Sequence, residues 1–169
     1  MSFTIKFKLV EDKLPELEKR LKDLDGHKVG IGMWKEQGVH KPSGFPAVSL
    51  FRYLSEGNPA KNLPPRSPLQ TVAALVPLSS SPLKPDITKY LSNITGRPPI
   101  TPLKVMGDLG EFYRDKVRDV FGDAGLLAPK AASTKSKSKS PNTPLIETKE
   151  LASKVAYKID NDIPKEVGR

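Results

Sequence analysis

Proline and glycine interrupt this chain so often that long regular elements can form in only a few windows. The 169 residues include 17 prolines and 12 glycines, about 17% of the chain, where about 12% is usual. Proline removes a backbone donor and fixes φ, and glycine raises the entropy lost on folding. We therefore expect short elements joined by long loops, within a single domain over residues 1–169.

Hydrophobic periodicity predicts an α+β fold. Apolar and polar residues alternate over 3–10, 27–34 and 153–160, which predicts three strands of a small, mostly antiparallel sheet. Apolar residues at helical spacing predict two main helices that cover it, over 12–24 and 103–121. The two apolar stripes are Leu14, Leu17, Leu21 and Leu24 in the first helix, and Met106, Leu109, Phe112, Tyr113, Val117, Val120 and Phe121 in the second.

Shorter elements are predicted between these helices. A short helix runs from Ala47 to near Gly57, and a second begins at the Ser67-Pro68 pair, which is typical of a helix cap and first position. The proline-rich insert 77–102 is interpreted as a linker that contains a short helix from about Pro85 to Ser92. The segment 128–143 is predicted to be a flexible basic loop.

The charge balance leaves two interpretations open. The net charge is +9 and the pI is about 9.7. Such an excess favours polyanionic partners such as nucleic acid, but scattered surface lysines explain it equally. The chain has no cysteine, so disulfides are excluded, and no apolar run approaches the roughly 18 residues of a membrane span. No membrane partner is expected.

Residues that carry catalysis do not form a recognisable pattern. His27 and His40 have no partner at metal-binding spacing, and Val29-Gly30-Ile31-Gly32 lacks the third glycine and the helix of a nucleotide-binding loop. Ser79-Ser80-Ser81 lacks the flanking glycines of a nucleophile elbow. We therefore expect neither an enzyme nor a metal or cofactor site.

Pro64-Pro65-Arg66 supports two interpretations. It is either a rigid linker that leads into the next helix, or a stiff arm that holds Arg66 at a subunit contact. Two fixed φ angles lower the entropy lost when such an arm docks. In the second interpretation Arg66 is an exposed charge, and its removal leaves the fold intact.

A lysine run occupies the basic loop and contains no acidic residue. It is either a solvated, disordered loop or a mobile loop that lies near DNA or an acidic partner. Its composition offers little apolar surface to offset the entropy of ordering. The lysines concerned are Lys130, Lys135, Lys137 and Lys139.

Three stretches, in order, resemble the phage virion-morphogenesis family, the tail-completion or neck group. In 47–70, a short helix ends in Glu56-Gly57 and a P-P-R motif follows at Pro64-Pro65-Arg66. In 110–137, a long helix leads into a Pro/Ser/Thr/Lys-rich stretch. In 144–148 the chain reads Pro-Leu-Ile-Glu-Thr, followed by a final strand. Lys149 stands where that family normally has glycine, so the turn after Thr148 cannot rely on a residue that is free to adopt a positive φ.

The resemblance implies an assembly function. Such proteins are similar to subunits that form a ring, here expected to be a hexamer, where the tail tube joins the head connector. The implied partners are further copies of the chain, the tail tube protein, a head-completion or connector protein, and packaged DNA. The implied location is the virion, after assembly in the host cytoplasm. Contact residues expected from it are Glu56, Pro64, Pro65, Arg66, Leu145 and Thr148. The alternative is a small basic nucleic-acid-binding protein.

Overall fold

A computed structural model describes residues 12–94, 96–130, 132–145 and 149–163, and it confirms a small α+β fold. The predicted strand 3–10 lies outside the described residues. The helices are α1 (Leu14–Asp25), α2 (Ala47–Glu56), α3 (Pro68–Leu75), α4 (Leu83–Leu91), α5 (Pro102–Val120), α6 (Ala132–Lys135) and α7 (Glu150–Ser153), and the strands are β1 (Val29–Gly32) and β2 (Ala156–Ile159). Short 3₁₀ turns cover 35–37, 59–61, 78–80 and 160–162.

The two described strands form an antiparallel pair that packs on α5. Val29 pairs with Ile159 and Gly32 with Ala156. Both strands have four residues, half the length that alternation predicted, because the chain turns at each end. At one end Asp160 accepts a 2.8 Å bond from the Lys28 amide and its own φ is 52°.

The long helix α5 divides the core into two clusters. The larger cluster surrounds the second half of α5 and includes Phe51, Val72, Val117 and Val155. The Phe51 and Phe121 rings stack there, 6.0 Å apart. The smaller cluster surrounds the first half of α5 and is formed by Leu24, Tyr90 and Val105. Helix α5 is therefore the element to which the other parts of the fold attach.

Two glycines of α5 have different surroundings. A Cβ on Gly110 would lie 2.4 Å from Cδ2 of Tyr157, whereas one on Gly107 would meet only the Tyr157 hydroxyl, at 3.9 Å. Gly110 thus lets the Tyr157 ring of β2 lie against the helix backbone. The predicted apolar stripe missed this glycine and the buried Val105.

The central part of the proline-rich insert 77–102 is packed into the fold. The helix predicted within it is confirmed as α4, and Tyr90 is only 2% exposed. The Tyr90 hydroxyl donates to Asp23 of α1 over 3.1 Å. The insert is therefore packed against both α1 and α5.

Candidate functional site

The Glu-Gly and Pro-Pro-Arg motifs fold into one compact turn. Gly57 ends α2 with φ 72°, and a Cβ there would lie 2.6 Å from the Pro65 nitrogen. The Arg66 amide donates to the Leu54 carbonyl over 3.0 Å. Between the two motifs, Asn58 and Leu63 form an antiparallel bridge. Only glycine fits at position 57, because the second arm of the turn lies against its backbone.

Arg66 is buried and holds the start of the basic loop. Its side chain is 5% exposed. Its Nε donates to the Ala128 carbonyl over 2.6 Å, and its Nη2 donates to the Pro129 carbonyl over 2.5 Å. Burial lowers the pKa of the guanidinium, which nevertheless stays protonated at neutral pH. The expectation of an exposed charge at Arg66 is therefore wrong.

The other end of the basic loop is fixed as well. Pro144 is fully buried, and its carbonyl accepts a 2.9 Å bond from the Gly122 amide. Within the loop, Lys130 Nζ donates to Ser138 Oγ over 2.7 Å and to the Ser140 carbonyl over 2.9 Å. We name the base formed by Arg66, Ala128, Pro129, Gly122 and Pro144 the loop clamp.

The four predicted lysines have different surroundings. Lys130 is half-buried and bonded within the loop, and Lys135 ends the one-turn helix α6 and is half-buried. Lys137 and Lys139 are exposed. Lys137 and Lys139 are thus the members of the run that contact solvent most. Flexibility of the loop in solution remains a prediction.

The remaining predicted contact residues are distributed around the clamp. Glu56 is exposed and accepts a 2.7 Å bond from Arg52 Nε, four residues earlier in α2. Pro64 is half-buried and Pro65 is exposed. Leu145 is half-buried against the larger core cluster, and Thr148 lies outside the described residues.

Lys149 adopts a left-handed backbone conformation. Its φ is 59°, so the turn there uses the left-handed region although no glycine is present. Such a conformation costs a lysine about 1–2 kcal/mol relative to glycine. The turn therefore adopts the backbone geometry that glycine favours, although a lysine occupies the position.

Sequence reasoning missed two further features. Arg20 is buried, and it flanks the predicted α1 stripe, three residues after Leu17 and four before Leu24. Phe45 is 62% exposed, in a segment for which no helix or strand was predicted. The signal for Phe45 was a large aromatic residue between Gly44 and Pro46, where no core position is expected.

The histidines have local partners. His27 Nδ1 lies 2.6 Å from Asp160 Oδ2, and His40 Nδ1 lies 2.8 Å from Ser43 Oγ. The Lys28 amide and then His27 lower the pKa of the Asp160 carboxyl. Across the described residues, no three His, Asp or Glu side chains are grouped so that they would hold a metal. In the same residues, no helix combines the length and apolar character that crossing a membrane requires.

Comparison with known proteins returns no match: no family model, no curated sequence and no solved structure is similar to this chain at a significant level.

Proposed function

We propose that this chain is a ring-forming structural subunit at the head–tail junction of a tailed phage, where it completes or terminates the tail and joins it to the head connector. Its partners in this proposal are its own copies, the tail tube protein and a head-completion or connector protein. Packaged DNA passes through the ring. The role is one of assembly rather than catalysis.

One observation carries the proposal. The three stretches that resemble virion-morphogenesis proteins are far apart in sequence but meet at the loop clamp. Arg66, from the first stretch, binds Ala128 and Pro129 in the second. Pro144, which begins the third, binds Gly122 in the second. Convergence of all three supports a single functional unit that presents the basic loop.

The loop itself supports a position beside DNA. Residues 128–143 contain no acidic side chain, and Lys137 and Lys139 are exposed. A positive loop with a fixed base attracts phosphate without requiring a base-specific contact. This arrangement is expected of a channel lining that must let any DNA sequence pass.

Native mass spectrometry tests the ring. The full chain is measured over a range of concentrations, alone and with the tail tube protein of the same phage. A closed species of defined stoichiometry, expected to be six copies, supports the proposal. A strict monomer under both conditions contradicts it.

The same loop also favours a second candidate, a monomeric nucleic-acid-binding protein. That protein would bind duplex DNA with an affinity that falls steeply with salt. Titration of the chain with a labelled duplex at several salt concentrations, alongside the mass measurement, separates the candidates. A monomer with steep salt dependence favours this candidate, and a ring that needs no DNA favours the first.

A further inference from the structure

The basic loop is folded back on itself by one of its own lysines. Lys130 follows the clamp residue Pro129 directly and is half-buried. Its Nζ donates to Ser138 Oγ over 2.7 Å and to the Ser140 carbonyl over 2.9 Å. The Ser140 amide donates to the same Ser138 oxygen over 3.0 Å. These three hydrogen bonds join the end of the lysine run to its beginning.

The segment that these bonds enclose contains two consecutive turns after the one-turn helix α6. The Lys137 amide donates to the Thr134 carbonyl over 3.2 Å, and the Ser138 amide donates to the Lys135 carbonyl over 3.3 Å. Lys137 lies at these turns and is exposed. The described part of the loop therefore has a defined shape, in which one lysine bonds within the loop and another contacts solvent.

The closed shape of the loop exchanges with open shapes. Each of the Lys130 hydrogen bonds replaces one that the same groups make with water, so the net gain in stability is small. Local opening of such a segment costs far less free energy than global unfolding, which agrees with the flexibility that the composition predicts. A polyanion that binds the closed shape avoids the entropy loss of ordering an open loop.

We propose that Lys130 is a positioning residue for DNA: it holds the loop closed so that the exposed Lys137 and Lys139 bind the phosphate backbone, and it does not contact the DNA itself. The ligand is the backbone of duplex DNA of any sequence, because lysine contacts to phosphate carry no base specificity. The inference rests on the proposed function only for the position of the loop beside DNA.

Lys130 and Lys137 differ in how their ammonium groups are used. An ammonium has three donors, and two of those on Lys130 bind loop oxygens. Lys137 is exposed, whereas Lys130 is half-buried. A lysine that contacts phosphate releases condensed counterions, and a lysine that only shapes the loop does not. The two roles therefore change the salt dependence of DNA binding differently.

Titration of the full chain with a labelled duplex at several salt concentrations separates positioning from contact. Lys130→Met removes the ammonium and keeps an unbranched side chain. It should weaken binding about five-fold and leave the slope of log K against log salt unchanged. The matched variant Lys137→Met should reduce the magnitude of that slope by about 0.9, because one phosphate contact is lost. Lys89→Met, at an exposed position on α4, should change neither quantity.

Limited trypsin digestion without DNA tests the closed loop directly. Cleavage after Lys135 and Lys137, followed by mass spectrometry, should be about five-fold faster in Lys130→Met, because it follows the population of open loops. Lys89→Met should be cleaved at the parental rate. The residues between Lys130 and Pro144 belong to neither core cluster, so the melting temperature of Lys130→Met should equal that of the parent, which circular dichroism will verify.

The outcomes distinguish this inference from the proposed function. A reduced salt slope in Lys130→Met, equal to that in Lys137→Met, would show a direct phosphate contact and overturn the positioning role. Unchanged DNA affinity in Lys130→Met would overturn it as well, whether or not cleavage is faster. A parent chain that forms rings but does not bind the duplex would overturn the inference and leave the ring proposal standing. A monomer that shows the expected pattern would support the inference and contradict the ring.

Discussion

Two buried arginines anchor the two most irregular regions of this molecule, and they do so with different partners. Arg20, 4% exposed, lies under the proline-rich insert, and Arg66, 5% exposed, lies under the basic loop. Arg20 donates to the carbonyls of Tyr90, Ser92, Asn93, Ile94 and Gly96 and also pairs with Glu16. Arg66 donates to two carbonyls, those of Ala128 and Pro129.

The difference follows from which backbone carbonyls each segment leaves without a hydrogen-bond donor. Arg20 meets the Tyr90 carbonyl in the last turn of α4, which has no intrahelical partner, and the carbonyls of the irregular segment that follows the helix. Arg66 meets an extended segment in which proline supplies no amide donor. In both regions a guanidinium with five donors satisfies carbonyls that the local backbone cannot. Irregular segments of this chain are thus fixed by buried cations as well as by apolar packing.

The largest expected effect is at Arg20. Arg20→Ala leaves several carbonyls without a donor and should lower the free energy of unfolding by about 3 kcal/mol, measured by urea denaturation. Arg20→Lys should recover part of this, because an ammonium has three donors. As a control, Glu16→Gln should cost under about 1 kcal/mol, since the Glu16 carboxylate is partly exposed. A loss in Glu16→Gln equal to that in Arg20→Ala would show that the ion pair dominates instead.

Arg66→Ala should have the next largest effect, about 2 kcal/mol, because fewer carbonyls lose a donor. It should also raise the rate at which trypsin cleaves within 128–143, since one side of the loop clamp is released. Arg66→Lys should have an intermediate effect on both. An unchanged stability and cleavage rate in Arg66→Ala would mean that the side chain behaves as an exposed charge.

Substitutions at Gly107 and Gly110 test how closely β2 packs on α5. Gly110→Ala should destabilise the fold by about 1–3 kcal/mol, because the new methyl group overlaps the Tyr157 ring. Gly107→Ala, in the same helix with no such overlap, should stabilise it by up to about 1 kcal/mol through helix propensity alone. Thermal unfolding of the pair provides the comparison. Stabilisation by both substitutions would contradict the close packing of β2 on α5.

The smallest expected effect is at the tip of the basic loop. Replacing Lys135, Lys137 and Lys139 by serine leaves the loop clamp intact and should not change the melting temperature noticeably. It should lower DNA retention or ring assembly, measured on the same preparation. Protection of 128–143 from protease in the parent subunit would contradict the predicted flexibility. Normal assembly and DNA retention in the variant would contradict the predicted contact.

Where the sequence predicted structure correctly, a local pattern was sufficient. The Ser67-Pro68 cap is confirmed, with Ser67 Oγ accepting a 3.4 Å bond from the Gln70 amide. The bounds of α5 agree with the prediction within one residue at each end, because its apolar stripe extends over five turns. Strand lengths were overestimated, since alternation continues past the residues that pair.

The candidate site was predicted only in part. The sequence showed the Glu-Gly and Pro-Pro-Arg motifs but not that Arg66 is buried. Its burial depends on two carbonyls that lie more than 60 residues away in the sequence. The exposure of Phe45 was missed for the same reason, because exposure of an aromatic side chain is a property of the folded surface.

The sequence by itself determined the α+β class, the main helices and the segments that proline and glycine keep irregular, because periodicity and backbone restriction act within a few residues. Only the tertiary structure decided which charges are buried, which glycine admits the Tyr157 ring, and that the stretches 47–70, 110–137 and 144–148 contribute to the loop clamp. These depend on contacts between residues distant in sequence, where a side chain's environment is set by the neighbour that folding brings to it.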